Sequence, residues 1–157
     1  MDTTRHLAQL NIGRMVAPKG DPAVAEFFDN LERVNAAADS MPGFVWRLQD
    51  DGGDATEFRF GDDPDMLVNL SVWETSEALA TYVFKTVHAR FYRKRDRWFV
   101  PLTDPHFCMW WVPVGHRPDL AEAHAMLTDY KTHGASERVF GWSNVPEAAL
   151  WRSERCA

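Results

Sequence analysis

The sequence predicts an α+β fold in the split β-α-β-β-α-β order of ferredoxin-like domains, with an antiparallel sheet and an extra C-terminal helix. Three observations carry this. Four short apolar runs have strand character: His6–Gly13, Phe44–Gln49, Met66–Trp73 and Phe107–Pro113. Segments of helical periodicity separate the first from the second and the third from the fourth. Both aromatic-rich strands, Met66–Trp73 and Phe107–Val112, carry large or hydrogen-bonding side chains on both faces. A strand with one wet face alternates apolar and polar residues, so this sheet is covered on both sides.

In the first strand Ala8, Leu10 and Ile12 share one face and Leu7, Gln9 and Asn11 the other. Asp21-Pro22 opens a helix, with Asp as N-cap and Pro in the first turn, where its missing N–H is harmless. Val24, Phe27, Phe28, Leu31, Val34 and Ala38 form its apolar stripe, and Pro42-Gly43 stops it. The second strand, Phe44–Gln49, leads into the acidic, glycine-containing stretch 50–64, a loop that reads as a candidate lid or a partner for the basic residues 90–97. Thr75 or Ser76 caps a long helical region to about Trp98, with a bend expected between Lys85 and His88. After the fourth strand, Asp119 and Glu122 have capping-box spacing, and a helix from Leu120 runs to Gly134, a suitable terminator. Val139–Trp142 reads as a last short strand and 146–157 as a flexible tail.

At 157 residues the chain fits one domain, 1–157, with a sizeable core. Its formal net charge of −6 opposes nucleic-acid binding, which demands a basic footprint. Two cysteines, Cys108 and Cys156, make no disulfide framework, and Cys108 reads as a buried thiol. No signal peptide and no membrane-spanning run is visible, so the expected location is the cytoplasm. Seven Trp exceed the needs of a core of this size. They suit either a rigid core or dimer interface, or a pocket for a flat ligand.

The third strand separates its faces cleanly. Val68, Leu70 and Val72 are aliphatic and are expected to pack on the helices, with Leu67, Asn69, Ser71 and Trp73 pointing the other way. A second copy of the chain is the economical cover for that second face, closing two sheets into a dimeric α+β barrel. Gln9, Asn11, Asn69 and Ser71 then line either a small-molecule cavity or a hydrogen-bonded dimer interface. Strands two and four cannot be oriented by periodicity; Trp46 is placed on the same side as Trp73.

His88 and Tyr92, at i and i+4, share a helix face. His88 is the candidate general base, at the edge of the apolar stripe; a solvated helix-surface histidine is the plainer alternative. None of the six His pairs with another His or Cys at ligand spacing, so no metal is expected. A haem would take His88 as its axial ligand and is the alternative to having no cofactor. Gly115–Pro118 reads as a tight turn in preference to an anion clamp.

Phe44–Gln49, Asn69–Glu74, His88 with the basic run to Trp98-Phe99, Trp110–Pro118 and the opening His6–Asn11 together resemble the bacterial family catalogued as domain of unknown function 3291, over roughly residues 5 to 142. That family is grouped with the dimeric α+β barrels, which include the antibiotic-biosynthesis monooxygenases. The resemblance implies a homodimer but settles no activity, since the superfamily holds cofactor-free oxygenases, haem enzymes, isomerases, lyases and binding proteins. The leading expectation is cofactor-independent oxygenation of a hydrophobic aromatic or polyketide-like substrate of secondary metabolism. His88 would be the base, Asn11 and Asn69 the hydrogen-bond donors, Trp46 and Trp73 the ring clamp, and Gln9, Ser71 and Tyr92 further substrate contacts. A cofactor-free isomerase, cyclase or lyase, and a non-catalytic metabolite-binding protein, are the alternatives.

Overall fold

The computed structural model describes residues 4–49, 60, 63 and 65–145. The tail 146–157, Cys156 and most of the acidic stretch 50–64 lie outside the described residues.

Strand β1 (Arg5–Arg14) is central. It pairs antiparallel with β3 (Met66–Trp73) on one side and β4 (Phe107–Pro113) on the other, and β2 (Phe44–Arg47) flanks β3. The order β2-β3-β1-β4 is the ferredoxin-like arrangement expected from the sequence. Between β1 and β2 the chain forms α1 (Ala25–Asp29) and α2 (Leu31–Asp39); between β3 and β4 it forms α3 (Ser76–Lys85) and α4 (Val87–Arg93). Helix α5 (Leu120–His133) follows β4. Among the described residues no helix is long and apolar enough to cross a membrane.

The predicted caps are present. Asp21 accepts from the Ala23 N–H at 2.8 Å and Thr75 Oγ1 from the Ala78 N–H at 3.1 Å. Asp119 accepts from the Glu122 N–H at 2.8 Å, but the Glu122 side chain does not return to close a capping box. One Glu122 oxygen accepts from the buried Trp110 indole at 2.9 Å; the other pairs with His116 Nε2 at 2.7 Å. The turn 115–118 thereby docks α5 onto β4. Gly134, at φ 76°, ends α5 with its N–H on the Tyr130 carbonyl. The long helical region breaks at Thr86, which is extended; its Oγ1 donates to the Tyr82 carbonyl at 2.6 Å and accepts from the His88 N–H at 3.2 Å. Instead of a full last strand, residues 139–142 make a single bridge, Phe140 with Met109 in β4, before a 3-10 turn over Trp142–Asn144.

Register confirms the two face sets: Leu7 opposes Trp73, Gln9 opposes Ser71 and Asn11 opposes Asn69, while Ala8, Leu10 and Ile12 oppose Val72, Leu70 and Val68. What covers each face differs from the expectation. The aliphatic face, with Cys108, Trp110 and Val112 of β4, packs against Ala123 and Leu127 of α5, and on Phe60 and Val139. The mixed face lies under helices α1 to α4, where Leu7, Trp73 and Met109 meet Ala38, Leu79 and Tyr82. The sequence pattern makes α5 an appendage and assigns the helices of both crossovers to the aliphatic face; α5 in fact supplies that layer. The helices of the same chain therefore cover the mixed face at Gln9 (4% exposed) and Ser71 (6%), while Asn11 is half-buried and Asn69 is exposed.

Candidate functional site

Between the mixed sheet face and helices α1 to α4 lies a cavity of about 400 Å³. A smaller chamber of about 80 Å³ adjoins it, and both touch Asn11, Asn35, Arg47, Asn69, Tyr82 and His88. Gln9 lines only the chamber, Asn11 both spaces, and Gly13 only the main cavity. Four residues of strand span about 13 Å.

The chamber is polar and rigid. Gln9 Nε2 donates to Asn69 Oδ1 at 2.6 Å and to Ser71 Oγ at 2.7 Å; the Trp73 indole N–H donates to the same Ser71 oxygen at 2.9 Å. Because the Asn69 oxygen is occupied by Gln9, its Nδ2 is left to the cavity. Neither that nitrogen nor the Asn11 amide has a hydrogen-bond partner among the described residues. Trp73, 1% exposed, stacks on Tyr82 at 5.3 Å and meets Phe44 edge-on at 5.3 Å.

His88 lines both spaces. The break at Thr86 makes it the second residue of α4, where its Nδ1 lies 3.1 Å from the Val83 carbonyl. A carbonyl only accepts, so Nδ1 carries the proton and Nε2 presents a lone pair with no partner among the described residues. Burial pushes the His88 pKa below the ordinary imidazole value of 6.5, opposed in part by the Val83 hydrogen bond. The ring is thus neutral at neutral pH. It stacks on Tyr92 at 6.0 Å and 21°, and meets Tyr82 at a tilt, at 4.9 Å and 47°. Burial likewise pushes the Tyr82 phenol above its usual range, and its hydroxyl donates to the Val34 carbonyl at 3.0 Å. Arg47 reaches both spaces and is anchored by Asp39 through Nε at 2.8 Å and Nη2 at 3.2 Å.

The structure brings together His88, Asn11, Asn69 and Tyr92 on the main cavity, and Gln9, Ser71 and Trp73 on the chamber. It does not bring Trp46 there. A bulge at Val45 sets Phe44 opposite Trp73 but Trp46 opposite Val72, so Trp46 packs on the aliphatic side and lines neither space. The extra residue of a bulge inverts the alternation that follows it, and nothing in the sequence marks it. Sequence reasoning also missed the ring wall at the other end of the cavity, where Phe27, Phe91, Trp98 and Phe99 line the main space. Their helical spacing is that of ordinary core.

No cluster of three or more His, Cys, Asp or Glu able to hold a metal ion occurs among the described residues. Cys108 is buried on the opposite face, where desolvation pushes its thiol up to about 12.

The strand order and helix layers define a ferredoxin-like α+β protein. The chain belongs to the family described as Domain of unknown function (DUF3291), whose model matches residues 6–156. No curated protein matches it in sequence. Among solved structures, PA3566 from Pseudomonas aeruginosa aligns at TM-score 0.47 and 13% identity, over 72% of this chain and 97% of that one. SnoaB, a cofactor-independent oxygenase from Streptomyces nogalater, aligns at 0.45 and 18%, over 76% and 99%. A protein from Chloroflexus aurantiacus assigned to the antibiotic biosynthesis monooxygenases aligns at 0.42 and 19%, over 72% and 97%.

Proposed function

We propose that the protein is an enzyme that binds a small hydrophobic aromatic molecule in the cavity, removes a proton from it with His88, and lets the resulting carbanion react with dioxygen without a bound cofactor. The observation that supports this reading is the Nε2 lone pair of a neutral His88, without a partner among the described residues, on the same cavity as the Asn11 amide and the Asn69 Nδ2. A base with a pKa near or below the working pH is present in its active form. Amide donors aimed at the substrate's oxygen stabilise the enolate as it forms.

For an anthrone-type ring methylene the balance is CH2 + O2 → C=O + H2O. His88 takes one proton, the carbanion adds dioxygen, and the peroxide loses water to leave the ketone. The ring carbon is oxidised by four electrons and one dioxygen is reduced by four. Tyr82 keeps its proton through the cycle and serves as a wall.

The test is oxygen uptake with anthrone as substrate. The wild-type protein is expected to consume one dioxygen per anthrone converted. The triple variant Asn11→Ala, Asn69→Ala, His88→Gln is expected to lose turnover while still folding. Unchanged turnover in that variant would overturn the roles given to these residues. Conversion that persists without oxygen would point to an isomerase or lyase in the same cavity, binding without turnover to a metabolite carrier, and a Soret band in the purified protein to haem.

A further inference from the structure

The main cavity is chemically two-ended. Its amide and imidazole groups lie toward Gln9 and Asn11, whereas its Gly13 end is built of aromatic rings. Phe27 meets Phe99 edge-on at 5.3 Å and 87°, and lies 5.7 Å from Trp98; Phe91 stacks on Trp98 at 5.9 Å and 28°. Phe99 lines this end, and its position is fixed twice. The backbone of residues 98–100 is tied to the end of β1: the Val16 N–H donates to the Trp98 carbonyl at 2.8 Å and the Val100 N–H to the Arg14 carbonyl at 2.8 Å. The ring itself sits where Gly13 has no side chain. A Cβ on Gly13 would come within 2.6 Å of Phe99 Cδ1 and 2.8 Å of Cε1.

Gly13 is absent from the glycines at positive φ, so its backbone does not require glycine. Glycine inside a strand weakens it and often marks a close approach. Here the approach is that of the Phe99 ring, which lines the cavity.

We infer that the Gly13 end of the cavity is a subsite for a fused aromatic ring system, and that Phe99 seated on Gly13 sets how many rings it admits. The inference rests on the reading that this cavity binds an aromatic small molecule. Flat rings suit the subsite because walls of rigid rings offer edge-to-face and offset-stacked contacts, which fused rings make without losing rotamer freedom. The hydroxyl or carbonyl of the same ligand then lies toward Asn11, Asn69 and His88.

The experiment measures dissociation constants by quenching of tryptophan fluorescence, with three ligands of increasing length: 1-naphthol, 1-hydroxyanthraquinone and a hydroxylated tetracenequinone. Phe99→Ala is expected to tighten the four-ring ligand by about tenfold or more relative to 1-naphthol, the scale on which pocket size discriminates. Gly13→Ala is expected to drive Phe99 into the cavity and weaken the three-ring ligand by about tenfold, with 1-naphthol changed much less. In the double variant Gly13→Ala, Phe99→Ala the penalty of the added methyl group is expected to vanish, because the clashing ring is gone. Circular dichroism of each variant checks folding, and the double variant keeps the test decisive if Gly13→Ala alone fails to fold. Equal shifts for all three ligands, or a Gly13→Ala effect that persists in the Phe99→Ala background, would overturn the size rule. If no aromatic ligand of any length binds the wild-type protein, the functional reading beneath it fails instead.

Discussion

Replacing Ser71 by alanine removes one oxygen and strands two donors. That oxygen accepts from Gln9 Nε2 at 2.7 Å and from the Trp73 indole N–H at 2.9 Å, and Trp73 is 1% exposed. Each buried donor left without an acceptor costs about 1–3 kcal/mol. Gln9 keeps its bond to Asn69 and can turn its second hydrogen toward the chamber; Trp73 has no such freedom. The sum for Ser71→Ala is roughly 2–5 kcal/mol, a large fraction of the roughly 5–15 kcal/mol that stabilises an ordinary domain. For a chain of this length the expected fall in Tm is roughly 5–15 °C. Urea denaturation followed by far-ultraviolet circular dichroism measures the loss. A double-mutant cycle with Trp73→Phe, which deletes the indole N–H, isolates the shared bond; the two changes are expected to couple by about 1–2 kcal/mol. A Ser71→Ala variant within about 0.5 kcal/mol of the wild type, or a cycle that is additive within that margin, would refute the argument that this oxygen holds the chamber together.

Two further outcomes follow from the same structure. The folded pKa of His88 lies below 6.5 while the unfolded chain titrates near that value, so the unfolded state binds more protons as the pH falls. The neutral ring's contribution to stability is therefore present above 6.5 and lost at lower pH; urea midpoints of His88→Gln between about pH 5 and pH 7 are expected to fall less steeply than those of the wild type. Leu127→Ala, at the contact of α5 with the aliphatic face, is expected to cost about 2–5 kcal/mol in urea denaturation. Because Leu127 packs on the far side of the sheet from the cavity, ligand affinity in the folded variant is expected to stay unchanged.

Much of this architecture is legible in particular residues. The alternation Leu67, Asn69, Ser71, Trp73 against Val68, Leu70, Val72 separates the faces of β3, and the pairing with β1 reproduces that split. The i, i+4 relation of His88 and Tyr92 puts both on the cavity, and the expected bend lies at Thr86. Which layer covers which face is not legible, because an apolar stripe shows that a helix is buried without showing against what. The apolar stripe of α5 is weaker than those of α2 and α3, so nothing in it singles out α5 as a sheet-covering layer. Trp46 is misplaced by a backbone event, the bulge at Val45, that leaves no mark on composition or spacing. The ring wall is hidden for a third reason. Gly13 and Phe99 are far apart in sequence, and only the bridge between Met15 and Phe99 brings them together.

The central position of β1 has a consequence for the birth of the molecule. This strand leaves the ribosome before both of its hydrogen-bonding partners, β3 and β4, whose last residues are Trp73 and Pro113. Leu7, Ala8, Leu10 and Ile12 must wait, with both edges of their strand unsatisfied, until those two segments have been synthesised. Such long-range pairing folds slowly and leaves a sticky segment open to other nascent chains. A fragment of this protein cut short before β3 would aggregate sooner than fold, and chaperone demand should concentrate in the interval before β4 emerges.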